Sequence, residues 1–182
     1  MLEDYISFAP QSKELILKKK TVLSLCQQAE SRVEQIKSLE PDTEEGLIAT
    51  VEVNKIQIKL HFMPEKITLH KDYLQGEIRL LNPPKFETES LIYRSLIAGW
   101  QIFLGGKIPN GVLPEEVRVE KDKIYYKLPR QQLQLIDILF HTLESNSALF
   151  TNVKQGELTI QSSVTLNWSD LKLQNILQLL QK

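Results

Sequence analysis

Three histidines, His61, His70 and His141, a single cysteine, Cys26, and one glycine-rich segment are the groups in this 182-residue chain best suited to chemistry. No histidine has a second ligand-type residue at a metal spacing such as H-x-x-x-H or C-x-x-C, so the sequence offers no metal site. Asp137 and His141 stand four apart on an expected helix, where a carboxylate could orient an imidazole. No nucleophile accompanies them and both fall on that helix's polar stripe, so they read as a solvated ion pair. Cys26 lies beside Val22, Ala29 and Val33 on the apolar side of a helix, where a thiol is expected to be unreactive. The segment "GGKIPNG" (105–111) has the glycines and lysine of a phosphate loop. A phosphate, however, is held by free N–H groups at the start of a helix, and this segment follows the end of one. Asp72 and Asp122 recur in two similar stretches and suit hairpin turns better than an acid–base pair. The expectation is a non-enzymatic chain with no catalytic residue, no metal and no cofactor.

Charge narrows the partners. Twenty-two Lys and Arg against 23 Asp and Glu give a net charge of -1, which supplies no long-range attraction for nucleic acid. A lone cysteine excludes an intrachain disulfide, and "MLEDYISFAP" carries acidic residues and no apolar run to direct secretion, so a cytoplasmic location is expected. With 42% hydrophobic and 25% charged residues, the 182 residues suit a single globular domain over 1–182.

The elements that must position these residues follow from hydrophobic periodicity. Leu15, Val22, Leu25, Ala29, Val33 and Ile36 recur at helical spacing and predict one long N-terminal helix over 12–40. Leu15, Val22, Ala29 and Ile36 are also seven apart, which hints at a coiled coil, but the intervening register holds Lys18 and Arg32 where apolar residues are wanted. A helix covering the sheet is therefore expected, with a homodimer or a protein partner docked along it as the alternative. From 46 onward the period becomes two. Ile56, Ile58, Leu60 and Phe62 share one face, a turn falls at Val53–Lys55, Ile67 and Leu69 open another strand, and "YLQGEIRLL" supplies its partner. A second hairpin spans 116–128 and a third turns at Gln155-Gly156. Three further helices are expected over 91–104, 131–144 and from Ser169 or Asp170 to the end. "MPEKITLHKDYL" at Met63 and "LPEEVRVEKDKI" at Leu113 align at an offset of 50, so the region 46–182 reads as hairpin-plus-helix units. The likeness suggests an internal repeat, but four identities in a dozen residues are also what two unrelated hairpins with polar turns show. The fold class expected is α+β: an antiparallel sheet of about six to eight strands packed on the long helix and three further helices.

The most apolar stretch, "LIYRSLIAGWQIFLGG" (91–106), raises the question of function. As a membrane span, its apolar residues would gain roughly 4 kcal/mol in all, of which Arg94 alone would cancel about 2.5 to 3.5. Ser95, Gly99, Gln101 and Lys107 tip the sum against insertion, so no transmembrane span is expected, though contact with a membrane surface stays open. In a soluble fold the same helix is apolar on most of its circumference, with Tyr93, Trp100 and Phe103 beside a thin polar line through Arg94. Something must cover its second face. The expected function is a non-catalytic module binding a lipid or other apolar ligand between sheet and helices, with Tyr93, Arg94, Trp100 and Phe103 as contacts. The alternative is an adaptor that docks a partner protein through the N-terminal helix and the apolar helix faces.

Overall fold

Alternation of apolar and polar residues governs far more of this chain than helical periodicity does. The computed structural model describes residues 2–9, 14–91, 94, 117–129 and 147–162. In chain order these form β1 (Ile6–Ala9), β2 (Glu14–Leu17), α1 (Lys19–Arg32), β3 (Ile36–Pro41), β4 (Leu47–Val53) and β5 (Ile56–Leu69). There follow β6 (Tyr73–Leu80), β7 (Lys85–Glu87), β8 (Val117–Glu120), β9 (Lys123–Pro129), β10 (Ala148–Lys154) and β11 (Glu157–Ser162). All eleven strands belong to one antiparallel sheet, whose main path runs β1-β2-β11-β10-β5-β6-β9-β8. The 14-residue β5 is its spine: the first half pairs with β4 and β7, the second with β6 and β10. β3 pairs with β4.

This overturns the expected fold class. In place of six to eight strands on a long helix and three further helices, the described residues form a mostly antiparallel eleven-stranded sheet with a single α-helix. The long helix over 12–40 is three elements. Leu15 and Leu17, 2% and 3% exposed, point inward two apart, a spacing that strand accommodates and one face of a helix does not. Lys18 is extended (φ -70°, ψ 158°) and starts α1, and Val33 is extended (φ -116°, ψ 102°) and ends it after 14 residues. Leu15 lies in β2 and Ile36 in β3, so the sevenfold spacing of Leu15, Val22, Ala29 and Ile36 makes no continuous helical seam, and a helical homodimer along it loses its basis. The three further helices expected fall outside the described residues, apart from Leu91 and Arg94.

One face of the sheet is predominantly apolar. Leu15, Leu17, Ile160, Leu149, Leu69 and Leu74 form its first cluster, covered by Val22 and Cys26 of α1, which packs against β3 and β11. Ile78, on the same face of β6 as Leu74, packs on a second cluster of Ile56, Ile58, Phe86 and Ile124. Each of these buried side chains is worth about 1.5–3 kcal/mol before conformational entropy is charged.

The apolar positions of β5 change parity midway, from Ile56, Ile58, Leu60 and Phe62 to Ile67 and Leu69. Two separate strands would satisfy that switch; the structure satisfies it within one strand, by a β-bulge. Pro64 faces Ile78 and Lys66 faces Glu77, which leaves Glu65 as the extra residue. The inserted residue restores both halves to the inner face. Two-residue turns close the β4–β5 and β10–β11 hairpins: Asn54 and Lys55 (φ 52° and 65°), and Gln155 and Gly156 (φ 52° and 78°), have the paired positive φ of a type I′ turn. β6 and β9 meet around Gly76 and Tyr126, which pair directly and stand fifty apart, the offset of the two similar stretches. The hairpins β5–β6 and β8–β9 are thus related by a local pseudo-twofold axis through that pair.

Candidate functional site

The outer face of the sheet is polar, and the bulge in β5 opens a groove there. Proline has no N–H to give a ladder, and a bulge interrupts one. Pairing of β5 with β10 accordingly covers only Thr68, Ile67 and Lys66, opposite Ala148, Leu149 and Phe150. Beyond Phe150, β10 leaves β5. The Val153 N–H donates to Met63 Sδ (3.2 Å), while the Val153 carbonyl accepts from Gly46 N–H (3.0 Å) and Gln155 N–H reaches the Glu44 carbonyl (2.8 Å). The lead-in to β4 is ordered by Asp42, whose Oδ1 accepts N–H bonds from Glu44 (2.9 Å) and Glu45 (3.3 Å). These bonds, Glu44's foremost, hold the Asp42 carboxyl below its usual range. Between the parted strands lies a groove of about 550 Å³.

Bulges re-aim side chains, and this one aims Glu65 along the groove wall. Glu65 Oε1 accepts from Arg79 Nε at 2.5 Å and its Oε2 lies 3.2 Å from Lys123 Nζ, which also bonds Glu77. Burial opposes the Glu65 charge, but hydrogen bonds from Arg79 and Lys123 outweigh it and hold the carboxyl below the usual range. Glu77 and then Glu65 raise Lys123, and Glu65 raises Arg79. Glu65, Arg79 and Lys123 are thereby held in their charged forms, each engaged by an opposite charge. The opposite wall is different. Phe150, 45% exposed, stands next to Lys66, whose Nζ is 5.8 Å from the ring centroid, and Asn152 and Lys154 continue the same edge of the groove. Thr151 also borders the groove, but alternation along β10 sets its side chain with Leu149 and Val153 on the inner face. Its buried Oγ1 has no hydrogen-bond partner among the described residues.

The sequence-derived candidates are not brought together here. Tyr93, Trp100 and Phe103 lie outside the described residues, as do Asp137, His141 and the segment 105–111. Arg94 is exposed and its Nε donates to the Thr88 carbonyl (3.0 Å), while Thr88 Oγ1 donates to the Lys55 carbonyl (2.8 Å). Thr88 thus fastens the chain leaving β7 to the β4–β5 turn, and Arg94 bonds Thr88. His61 has both nitrogens engaged, Nε2 with the Glu45 carbonyl (2.8 Å) and Nδ1 with Asn82 Nδ2 (2.7 Å). A carbonyl only accepts, so Nε2 carries the proton and Nδ1 accepts from the amide. His70 stacks on Tyr73 with ring centroids 4.4 Å apart. Among the described residues no cluster of three or more His, Cys, Asp or Glu side chains could hold a metal. Cys26 is buried, and burial, then Glu30 and Glu40, push its thiol up to about 11, far from a reactive thiolate. No described helix is long and apolar enough to cross a membrane.

Sequence reasoning missed Met63, Glu65, Lys66, Arg79, Lys123 and Phe150. The signal was the parity switch across Pro64-Glu65, which marks a bulge as readily as a strand boundary. The chain matches no protein-family model, no curated protein and no solved structure.

Proposed function

We propose that this chain is a non-catalytic module that binds a small amphiphilic ligand in the groove where β10 parts from β5. The observation that carries the reading is Phe150, 45% exposed in a groove of about 550 Å³ that the largely buried Met63 also lines and whose walls are charged. Ligand sites commonly enclose about 300–1,000 Å³ around an apolar anchor and a few oriented polar groups. A wholly apolar ligand suits these walls poorly, because stripping water from an ion costs several kcal/mol unless a partner replaces it. A molecule with an apolar portion for Phe150 and Met63 and a polar end for the charged walls meets both demands. The groove thereby replaces the expected position between sheet and helices.

Native mass spectrometry of protein purified without detergent, followed by titration with twelve-carbon amphiphiles, tests the reading. Binding that Phe150→Ser abolishes, with the far-ultraviolet circular dichroism spectrum unchanged, supports it. Failure of every such amphiphile to bind, or binding indifferent to Phe150→Ser, overturns it.

A further inference from the structure

The two walls of the groove differ in what their charges are already doing. Glu65 and Glu77 are engaged by Arg79 and Lys123 in a set whose charges cancel, with three contacts at 3.2 Å or closer. Lys66 is the direct cross-strand partner of Glu77, yet Glu77 bonds Lys123. Lys66 makes no ion pair with any described carboxylate and instead lies 5.8 Å from the centroid of the Phe150 ring. Lys154, further along β10, also lacks an ion pair among the described residues, and the one remaining groove carboxylate is Glu45. Lysine and aromatic ring together make a composite site in which a cation is held against apolar surface, while its cross-strand acid, Glu77, bonds Lys123.

We infer that the polar end of the ligand is an anionic oxygen acid, a carboxylate or phosphate on an apolar chain, seated on Lys66 with the chain against Phe150 and Met63. This rests on the amphiphile reading above and narrows it to one sign of charge. The anion takes the place that Glu77 leaves open. It forms a charge-assisted bond beside an apolar surface that excludes part of the solvent, where such a bond is stronger than in water. A cationic amphiphile would place its head against Lys66 and gain only what it could take from Glu45.

Isothermal titration of the full chain with dodecanoate, dodecyl phosphate, dodecanol and dodecyltrimethylammonium reads the sign directly. Dodecanoate and dodecyl phosphate are expected to bind about tenfold tighter than dodecanol, and the ammonium compound more weakly than dodecanol. Lys66→Gln should bring the anions down to the level of dodecanol while leaving dodecanol itself unchanged, and Lys66→Arg should restore the preference. Equal binding of dodecanol and dodecanoate overturns the inference and leaves the amphiphile reading standing. A preference for anions that survives Lys66→Gln overturns the seat. Binding of no amphiphile overturns both. Sedimentation with vesicles containing anionic lipid, without binding of monomeric dodecanoate, also overturns the inference and assigns the surface to a bilayer.

Discussion

Placing a methyl group on Gly76 tests the packing at the centre of the pseudo-twofold axis. Gly76 is buried, and the ring of its cross-strand partner Tyr126 lies flat across it, so a Cβ there would overlap Cζ, Oη and Cε1 of that ring. Tyr126 is partly buried and packs against the first core cluster, so moving the ring aside would sacrifice those contacts. Overpacking of this kind costs about 1–3 kcal/mol. The ordinary advantage of alanine over glycine inside a strand returns roughly 0.5–1. Gly76→Ala should therefore lose about 1–2 kcal/mol, which lowers Tm by roughly 2–8 °C in a chain of this length. Urea denaturation followed by circular dichroism measures the loss, and a double-mutant cycle assigns its cause. With Tyr126→Ala in place the obstacle is gone, so adding Gly76→Ala should be neutral or mildly stabilising, a coupling of about 1.5–3 kcal/mol. If Gly76→Ala costs as much in the Tyr126→Ala background as alone, the ring is not what requires the glycine and the reasoning is refuted.

Three other expectations follow from the same structure. The depressed Glu65 carboxyl contributes stability that is present at neutral pH and lost as pH falls through its folded-state value, which lies below 4.5. Glu65→Gln should cost about 1 kcal/mol at pH 7 after solvent screening is allowed for, with the gap to the unsubstituted protein narrowing as pH falls below the ordinary glutamate range in paired urea titrations; a gap that does not narrow with acidification would contradict this. Cys26 should react with a thiol reagent at pH 8 only as fast as the protein opens, so that labelling accelerates with urea in step with unfolding; rapid labelling without denaturant would show an accessible thiol. Thr151→Val removes a buried hydroxyl that no described residue bonds and should raise stability by about 1 kcal/mol in urea denaturation; a loss instead would show that the hydroxyl has a partner.

How far the sequence disclosed this molecule depends on the scale of the pattern. Alternation in "IQIKLHF" and in "ELTIQS", and the turns at Asn54-Lys55 and Gln155-Gly156, were legible because strand faces and type I′ turns are local properties. The segment 12–40 misled because its apolar residues fit a helical period while three different elements share them. Only the alternation of Leu15 with Leu17 argued for a strand there, too short a run to stand against a longer periodicity, and in β3 the irregularity between Ile36 and Ser38 breaks the alternation that would mark a strand. The groove was hidden for another reason: it depends on which strands lie side by side. Nothing local to Phe150 announces Lys66 as its neighbour across β10 and β5, and nothing near Glu65 announces Lys123.

The pairing of β2 with β11 also governs how the chain acquires its structure during synthesis. Leu17 and Leu158 are register partners, Lys18 bonds Glu157 across a separation of 139 residues, and the first core cluster draws on both ends of this span. A ribosome adding about 5–20 residues each second needs roughly 7 to 28 s to cover that distance. Throughout that interval the β1–β2 hairpin has emerged with a bare edge and an unfinished apolar face, the condition in which strands of neighbouring nascent chains pair with one another. The β2 edge and the first core cluster are therefore completed only when the β10–β11 hairpin arrives, and chains cut short before Glu157 should aggregate more readily than the full chain.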